Sequence, residues 1–588
     1  MTFNILKNNI EIGRFINTDR KKRLFIIRNK LPEPGAHMLL GIDVGGTHTD
    51  AAVIDSSGVV ASFKAKTDHK NLLNSINQAL QGVTSGIDKT KITNINLSTT
   101  LSTNAIIEDR IEKTGLFISA GPGINPQSYS IGDCTFIIDG SIDHRGNIVK
   151  PLNREEIEKG IDECRRKGVK VFAAVSKFST RNKEQEVEMT GLINNDSDFI
   201  SMGHSLSGQL SFPRRVATAY YNSAVWRIYN DFTNSVEQSL ADLGIKAPVN
   251  ILKADGGTMP LNMSRQFPVE SILSGPSASI MGIISLCDIT EDSVILDIGG
   301  TTTDIAIFAS GSPLIESNGV KLGGIPTLVR ALQNKSIGIG GDSEIIVSGK
   351  EVTVGPVRRG PCIADGGETA ALVDALNYKG VISYGHRDKS IAGIKKLASN
   401  SKLFAGRIAD EAIKYAVNKV KDEITNLLLE INQKPVYTIH EMLEGKKIKP
   451  ERIYLIGGPA GALAKAIAGN IKAIVPENYQ IANAIGAALA RTTIEAELFA
   501  DTSTGRMIMP SLGIERQIEK KYSLREAEED AAAGLSEYLM AHGVDVKKDE
   551  IDIMQASSFR MIDSFYSSGD DIRVRCQIKP GVTMKLYS

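Results

Sequence analysis

Two octapeptides of nearly identical sequence lie far apart in the chain, at residues 43–50 (DVGGTHTD) and 297–304 (DIGGTTTD), and they agree at six of eight positions. Each lies between two apolar runs, which predicts a β-hairpin with a Gly-Gly-Thr tip. Two glycines let backbone N–H groups approach a phosphate without a Cβ in the way, and the threonine adds a hydroxyl donor. One such hairpin could be an ordinary turn, but the repeat predicts a duplicated domain that grips one polyphosphate from both sides.

The leading aspartate of each octapeptide stands at a strand end, where it can hold Mg²⁺, usually through water. Asp43 and Asp297 are therefore the expected metal ligands and the expected catalytic residues. Phosphoryl transfer needs mainly positioning and charge neutralisation, so such a site works without a covalent nucleophile. The expected phosphate contacts in the two hairpins are Gly45, Gly46, Thr47, Thr49, Gly299, Gly300, Thr301 and Thr302.

A third element fits the same site. Residues 453–456 predict a buried strand, Gly457, Gly458 and Pro459 follow it, and residues 462–467 predict a helix. Such a turn presents free N–H groups and the positive end of a helix dipole to a ligand. After two phosphate hairpins it is expected to seat an adenosine, which makes Mg²⁺ and ATP the expected ligands. The chain has no P-loop, and no helix follows the hairpin glycines as a dinucleotide fingerprint requires.

The three elements, in this order, resemble the actin/sugar-kinase/heat-shock-chaperone ATPase superfamily. The first octapeptide and several later segments resemble the hydantoinase/5-oxoprolinase family, in particular its hydantoinase A type of subunit. Those segments are residues 99–108 (TTLSTNAIIE), 268–276 (PVESILSGP), 337–343 (IGIGGDS) and 482–488 (ANAIGAA). The glycine-rich segment adds Gly340 and Gly341 to the expected nucleotide contacts. The resemblance runs from Met38 to about Arg491.

The resemblance implies an α/β fold with duplicated actin-like ATPase domains, of the ribonuclease H-like type, around a nucleotide cleft. It also implies an inserted α/β subdomain, and the tail predicts a small C-terminal α+β domain. The expected boundaries are an N-terminal extension at 1–37, a first actin-like domain with the insertion at 38–285, a second at 286–493 and the C-terminal domain at 494–588.

The chain departs from the family pattern at three places near the expected site. His48 stands where many members carry phenylalanine, and Asp342 replaces a glycine. The segment 354–362 is shorter than the usual small-residue loop. It is also more basic, because it contains the pair Arg358 and Arg359. The chain is also shorter than fused oxoprolinases, which carry both catalytic halves. These departures leave the substrate open and imply a partner subunit.

The resemblance implies an ATP- and Mg-dependent hydrolase subunit that phosphorylates a cyclic amide (a hydantoin, 5-oxoproline or a lactam) so that water can open the ring. A hydantoinase B-type partner and an oligomer are expected with it. One alternative is a subunit of an acetone/acetophenone-type carboxylase, or a small-molecule kinase. Another is a chaperone-like or reactivating ATPase, although the tail is too short and too mixed for a peptide-binding domain. The histidines are too scattered to name a base, with His48 the nearest to the site.

The composition of the chain bears on its binding partners, its cysteine chemistry and its location. The chain has 588 residues, of which 42% are hydrophobic and 23% charged, and its formal net charge is zero. A chain with zero net charge shows no electrostatic sign of binding to nucleic acid or to an anionic membrane. The five cysteines form no CxxC and are expected to be buried and reduced. No apolar run nears twenty residues, so no membrane span is expected, and the lack of a signal sequence predicts a cytoplasmic protein.

Hydrophobic periodicity predicts the elements that position these residues. A helix over 154–166, a strand over 170–175 and a helix over 183–192 predict the inserted α/β subdomain. One long helix is expected over 214–243, and an apolar helical stripe over 413–431 is expected to be core.

A third Gly-Gly-Thr, at residues 255–258, follows a strand predicted over 249–253. No strand is expected beyond it, because Met259 and Pro260 follow, so it is interpreted as a loop at the cleft edge. In the tail, a helix is expected over 523–539 and a strand over 571–578.

Overall fold

The computed structural model describes residues 37–68, 71–316, 318–401, 403–433, 447–546, 548–563 and 566–587. Apart from His37, the predicted N-terminal extension lies outside the described residues. The described residues form two compact units: the smaller is Ile494–Lys579, and the larger contains the chain up to Thr493 and again from Pro580. None of the helices that the structure describes combines the length and the apolar character needed to cross a bilayer.

The first sheet of the larger unit carries the first predicted hairpin. Its strand Met38–Val44 pairs antiparallel with His48–Asp55 and parallel with Ile92–Thr99, so that Asp43 lies opposite Asp50. Apolar side chains are buried on both faces of this sheet, as expected where helices cover both sides. From edge to edge the strands are Thr258–Pro260, Val249–Leu252, Ile92–Thr99, Met38–Val44, His48–Asp55 and Gly58–Lys66.

The second sheet carries the second hairpin in the same arrangement. Ser293–Ile298 pairs antiparallel with Thr303–Ala309 and parallel with Arg452–Ile456, and Asp297 lies opposite Asp304. Both predicted hairpins are therefore confirmed, while their origin in one duplicated domain stays a prediction. The strand order is Ser312–Pro313, Thr303–Ala309, Ser293–Ile298, Arg452–Ile456 and Lys472–Ile474, and Asn334–Ile337 also pairs with Thr303–Ala309.

Two helices, Ser274–Leu286 and Ala482–Leu489, lie in an apolar core that both sheets share. Small residues allow these helices to approach closely. A Cβ at Gly486 would lie 2.0 Å from the carbonyl oxygen of Ala278, which no side chain could tolerate. The glycine therefore sets the distance between the two helices.

Further helices cover the other faces of the two sheets. Leu72–Val83 and Trp226–Asp242 pack on the first sheet, and Ala405–Gln433 packs on the second. The apolar stripe predicted over 413–431 lies in the last of these, which confirms that it is core. The remaining helices of these parts are Leu101–Ile107, Gly203–Leu206, Leu261–Ser264, Leu372–Lys379, Arg387–Ser401 and Ala460–Ala468.

The chain between the first-sheet strands Ile92–Thr99 and Val249–Leu252 contains a separate, four-stranded parallel sheet. Its strand order is Phe199–Met202, Val171–Ser176, Thr114–Ser119 and Thr135–Ile137. The predicted helix, strand and helix of this region are confirmed. They are observed as Arg154–Arg166, Val171–Ser176 and Glu184–Ile193.

The prediction of a single helix over 214–243 is wrong. The structure has two helices, Phe212–Ala224 and Trp226–Asp242, with one residue between them. The carbonyl oxygen of Ala224 accepts a hydrogen bond of 2.9 Å from the N–H of Glu112, which lies outside both helices. Because that carbonyl is used elsewhere, the helical ladder is interrupted, and sequence periodicity carries no sign of this.

The prediction that no strand follows the third Gly-Gly-Thr is also wrong. Thr258–Pro260 pairs antiparallel with Val249–Leu252 and forms the edge of the first sheet. A proline is tolerated on an edge strand because its missing N–H has no ladder partner to serve.

The smaller unit, Ile494–Lys579, is a five-stranded antiparallel sheet with one helix, Leu524–Ala541. The helix begins with a capping box in which the side chains of Ser523 and Glu526 each bond the other's backbone N–H. The helix and strand predicted for this region are confirmed. The strand order is Ile514–Gln517, Arg506–Met509, Glu495–Asp501, Tyr566–Ile578 and Ile551–Asp563.

Candidate functional site

The two Gly-Gly-Thr tips meet in the larger unit, although 254 residues separate them in the chain. The hydroxyl oxygens of Thr47 and Thr301 lie 3.2 Å apart, within hydrogen-bond distance. A Cβ at Gly300 would lie 2.7 Å from Thr47 Oγ1, so this approach depends on glycine. The structure thus brings the two predicted hairpins to one place.

Each tip is closed by the same backbone hydrogen bond. The N–H of Gly45 donates to the carbonyl of His48 at 3.0 Å, and the N–H of Gly299 donates to that of Thr302 at 2.9 Å. These two amides are used inside the turns, and phosphate contacts by Gly45 and Gly299 stay a prediction. Four tip amides have no acceptor in the part of the chain that the structure describes: those of Gly46, Thr47, Gly300 and Thr301.

Asp43 and Asp297 are buried behind the tips, and each accepts a hydrogen bond from a serine. Ser98 Oγ donates to Asp43 at 2.5 Å, and Ser279 Oγ donates to Asp297 at 2.6 Å. The side-chain amide of Asn483 donates to Asp297 at 3.1 Å. Both carboxylates that the sequence predicts as metal ligands are therefore held in place by hydrogen bonds.

The site concentrates negative charge in a buried place. Burial raises the pKa of Asp43 to about 7 against the hydrogen bond from Ser98, and the nearby charges of Asp50 and Asp297 raise it further. Burial also raises the pKa of Asp304 to about 7, with the charge of Asp297 as the next cause. A divalent cation stabilises the ionised form of such carboxylates.

Magnesium makes modest demands on protein ligands. The described residues contain no group of three or more histidine, cysteine, aspartate or glutamate side chains that could hold a metal. Mg²⁺ is commonly held by one or two carboxylates, with phosphate oxygens and water completing its shell. Asp43 and Asp297 suit that mode of binding.

The glycine-rich segment supports the second tip. The N–H of Gly341 donates to the carbonyl of Gly299 at 2.9 Å, and the N–H of Asp342 donates to that of Gly300 at 2.7 Å. A Cβ at Gly340 would lie 2.5 Å from the Gly300 carbonyl oxygen, so the segment can approach only because it is glycine. Direct nucleotide contacts by Gly340 and Gly341 stay a prediction.

The predicted strand–glycine–helix turn lies against Asp297. Gly457 has a φ of +91°, and a Cβ there would lie 2.6 Å from Asp297 Oδ1. A Cβ at Gly458 would meet nothing within 4 Å, and Pro459 caps the helix Ala460–Ala468. All three sequence motifs therefore meet around the two aspartates.

Three further residues of the two hairpins are Thr49, Thr302 and His48. Thr49 is fully buried, and its hydroxyl lies 3.2 Å from that of Thr67, while Thr302 contributes its carbonyl to the turn. Direct nucleotide contacts by these two threonines stay a prediction. Burial, followed by the charge of Lys64, lowers the pKa of His48 to about 4. The imidazole is therefore neutral near pH 7 and is a weak base.

Sequence reasoning missed Ser98, Ser279 and Asn483 as site residues. Ser98 lies in the strand before the segment 99–108, and the other two lie in the buried helices of the shared core. The sequence did carry one sign of the two helix residues. Each is a polar side chain in a helix otherwise made of small and apolar residues, and a polar group inside a core needs a hydrogen-bond partner.

The third Gly-Gly-Thr, at residues 255–258, is a buried structural loop, which corrects its expected place at the cleft edge. Asp255 accepts hydrogen bonds from the N–H of Gly257 at 3.0 Å and from Lys253 at 3.1 Å. Thr493 Oγ1 lies 3.2 Å from the same carboxylate. The polar groups of the loop are thus partnered inside the protein.

Family models match most of the described chain. The model described as hydantoinase/oxoprolinase N-terminal region matches residues 39–196, and that described as hydantoinase/oxoprolinase matches residues 215–496. Caprolactamase subunit alpha of Pseudomonas jessenii is 27% identical over 389 residues, which is 59% of this chain and 55% of that protein. 5-Oxoprolinase 1 of Arabidopsis thaliana is 22% identical over 476 residues, which is 70% of this chain and 37% of that protein. The alignments thus span about half of the first relative and about a third of the second.

Solved structures share the fold. A nucleotide-free acetone carboxylase superposes with a TM-score of 0.68 at 16% identity, over 94% of this chain and 89% of that one. The ATP-dependent caprolactamase of Pseudomonas jessenii superposes with a TM-score of 0.61 at 20% identity, over 92% and 87%. The α/β fold with mixed sheets is thus common to these proteins and this chain, and the two matching family models show that the chain belongs to the hydantoinase/oxoprolinase family.

Proposed function

We propose that this protein is the ATP- and Mg-dependent subunit of a hydrolase that activates a cyclic amide for ring opening. The observation that carries the proposal is the meeting of the two Gly-Gly-Thr tips in front of Asp43 and Asp297. The amide is expected to be a hydantoin, 5-oxoproline or a lactam. The relatives that share the family include a caprolactamase subunit and a 5-oxoprolinase.

The residues present fit Mg-ATP. The tips offer unused amides and two threonine hydroxyls as phosphate donors. Four carboxylates stand behind them, of which those of Asp43, Asp50 and Asp297 are buried and that of Asp304 is half-buried. Asp43 and Asp297 would hold the metal, and Ser98, Ser279 and Asn483 would fix the orientation of those carboxylates. The open space at Gly458 and the helix start at Pro459 would take the adenosine side.

ATP would supply a phosphoryl group to the carbonyl oxygen of the amide. The bond from the γ-phosphorus to ADP would break as the new P–O bond forms. Water would then add to the activated carbon, and cleavage of the ring C–N bond would leave a protonated amine and an acyl phosphate. A second water would hydrolyse the acyl phosphate to a carboxylate and free phosphate. A planar amide resists direct attack because resonance stabilises it, which is why activation helps.

A second subunit is part of the proposal. The caprolactamase relative is itself a subunit alpha, and the alignment covers about half of it. His48, whose pKa is lowered to about 4 by burial and Lys64, is too weak a base to serve the water step well near pH 7. We therefore expect a hydantoinase B-type partner to complete the ring-opening site and an oligomer of the two chains to be the active form.

Ketone carboxylation is the second candidate, since the acetone carboxylase shares the fold over 94% of this chain. The same nucleotide site would then phosphorylate an enolate oxygen instead of an amide oxygen. The choice between the two depends on the acceptor, so the test must vary the acceptor.

The experiment is phosphate release from Mg-ATP by the purified chain, with and without the partner subunit, across hydantoins, 5-oxoproline, lactams and ketones. Turnover that one cyclic amide stimulates and that yields the ring-opened product would support the hydrolase. Stimulation by a ketone only in the presence of bicarbonate would move the assignment to carboxylation. Turnover that no small molecule changes would argue against both and favour a reactivating ATPase.

A further inference from the structure

The guanidinium of Arg358 lies where the two tips meet. Its Nη1 donates to Thr301 Oγ1 at 3.3 Å, and its Nη2 donates to Asp342 Oδ2 at 3.0 Å. The same Asp342 oxygen lies 3.1 Å from the place that a Cβ of Gly300 would occupy. Thr301 in turn contacts Thr47 of the first tip, so Arg358 stands one hydrogen bond from the second hairpin and two from the first.

One donor of this guanidinium is unused. Arg358 Nε is buried and has no hydrogen-bond acceptor among the residues that the structure describes. Buried polar groups in folded proteins nearly always have a partner, so an exception calls for an explanation. Arginine presents its five N–H donors as a rigid fork that matches carboxylate or phosphate oxygens in pairs. An anion between the tips would supply the missing acceptor.

The segment that carries Arg358 is held in place by its neighbours. The N–H of Gly355 donates to the carbonyl of Glu344 at 3.0 Å, and the N–H of Glu344 donates to that of Val357 at 3.2 Å. A Cβ at Gly338 would lie 2.7 Å from Pro356 Cβ, so the segment packs closely on the glycine-rich strand end. The arginine is therefore positioned before any ligand arrives.

We propose that Arg358 binds the terminal phosphate of the nucleotide and that Asp342 holds its guanidinium when that phosphate is absent. The inference rests on the nucleotide site of the proposed function and names a residue that acts there. Asp342 and Arg358 are also two of the places where the chain departs from the family pattern. A direct ion pair between them makes the two departures one feature of this chain.

The chemistry follows from charge. Two oxygens of a phosphate placed between the tips would accept from Nε and from a terminal N–H, which is the strong bidentate form of arginine binding. The positive charge would then offset the charge of the phosphoryl group as it leaves ADP, as arginines do in other phosphoryl-transfer sites. Asp342 would be displaced because two anions compete for one guanidinium.

The test compares triphosphate with diphosphate binding by calorimetry, on the full chain with Mg²⁺, using a non-hydrolysable ATP analogue and ADP. Arg358→Met is expected to lose about 10–100-fold of the affinity for the triphosphate, with ADP affinity nearly unchanged. Turnover with the partner subunit should fall about 10²–10³-fold. The matched control is Arg359→Gln, because that arginine is exposed and its ion pair is with Glu344, and it should behave as wild type.

A second variant, Asp342→Asn, has an expected effect of the opposite sign. It removes the competing anion, so affinity for the triphosphate should rise while ADP affinity stays the same. Arg358→Lys covers the case in which the methionine variant does not fold, since it keeps the charge but cannot bind in the forked mode; it should lose part of the triphosphate preference.

Equal losses of ATP-analogue and ADP affinity in Arg358→Met, or no loss of either, would overturn the inference. So would a defect confined to the KM of the amide substrate, which would place a substrate carboxylate at Arg358. If wild type and Arg359→Gln bind Mg-nucleotide while Arg358→Met matches them, only the inference fails. If wild type binds no nucleotide, the proposed function fails with it.

Discussion

At the scale of single residues, the site depends on two buried carboxylates, Asp43 and Asp297, and burial raises the pKa of Asp43 to about 7. Each of the two aspartates accepts a hydrogen bond from its own serine, and Asp297 also accepts one from the amide of Asn483. Such a pair is costly without a cation, because two buried negative charges repel and are poorly solvated. A bound divalent metal would remove this cost, which makes the aspartates the first residues to test.

Asp297→Asn is expected to lower Mg-ATP turnover at least about a hundredfold, because a neutral amide cannot anchor the metal. Asp43→Asn should do the same. Phosphate release measures the loss, and circular dichroism melting should show that the fold is retained. Asp388→Asn, an exposed aspartate on the helix Arg387–Ser401, is the matched control. Turnover that stays at the wild-type level in both site variants would remove these residues from the mechanism.

His48 gives a prediction for stability against pH. Burial and the charge of Lys64 lower the pKa of His48 from 6.5 to about 4, so the folded protein prefers the neutral ring. Above pH 6.5 this preference costs nothing. As the pH falls towards 4, the unfolded chain gains a proton that the folded chain does not, and the free energy of unfolding drops by up to about 3 kcal/mol.

His48→Gln should therefore lose less stability than wild type between pH 7 and pH 4.5. Urea unfolding at the two pH values measures the difference, and His144→Gln, at an exposed turn, is the matched control. The same pH slope in wild type and in His48→Gln would show that His48 is not held neutral.

At the scale of elements, a close contact at a glycine, Gly486, positions Ser279 and Asn483 against Asp297. Ser279 lies on Ser274–Leu286 and Asn483 on Ala482–Leu489, and these helices cross where Gly486 faces the carbonyl of Ala278. Any side chain at this crossing would push the helices apart. The loss would be felt at Asp297, which accepts hydrogen bonds from both side chains, although Gly486 itself is not one of its partners.

Gly486→Ala is expected to destabilise the larger unit by about 1–3 kcal/mol or more, because its Cβ would lie on a backbone carbonyl. It should also lower turnover, since Asn483 shares the helix. The matched control is Gly191→Ala, in the helix Glu184–Ile193, where a Cβ would meet nothing within 4 Å. That change should be neutral or stabilise by up to about 1 kcal/mol. Equal stability of the two variants would contradict the crossing as described.

At the scale of the whole molecule, the sequence predicted the individual helices and hairpins better than the contacts between elements that lie far apart in the chain. The two hairpins were readable because Gly-Gly-Thr between apolar runs specifies a local turn. Helix Arg154–Arg166 was readable because its periodicity is local too. The contact between Thr47 and Thr301, in contrast, depends on packing across 254 residues, and its existence could be inferred only from the repeat.

The failures have the same physical cause. The interruption after Ala224 arises from a hydrogen bond to Glu112, and the third Gly-Gly-Thr is buried because Thr493 packs against Gly257. Neither partner is near in sequence. The turn hydrogen bonds of Gly45 and Gly299 could not be read from the sequence either, because a tip glycine can serve a ligand or its own turn.

The tips also set a condition for binding. Thr47 and Thr301 are in hydrogen-bond contact, and a phosphate held by amides of both tips must lie between them. The hairpins must therefore separate when nucleotide enters. This separation is expected to involve the two sheets, since each tip continues directly into a sheet strand.

Cysteine cross-linking of the two tips tests this arrangement most directly. In Thr47→Cys/Thr301→Cys the thiols would replace hydroxyls that lie 3.2 Å apart, and the five native cysteines are buried. Mild oxidation should form the disulfide without nucleotide, and Mg-ATP should suppress it. The cross-linked chain should bind no nucleotide until it is reduced, while each single variant should still bind it, with an affinity lowered only by the loss of one hydroxyl donor. A disulfide that forms equally fast with saturating Mg-ATP, in a chain that still binds the nucleotide, would show that the phosphates do not lie between the hairpins.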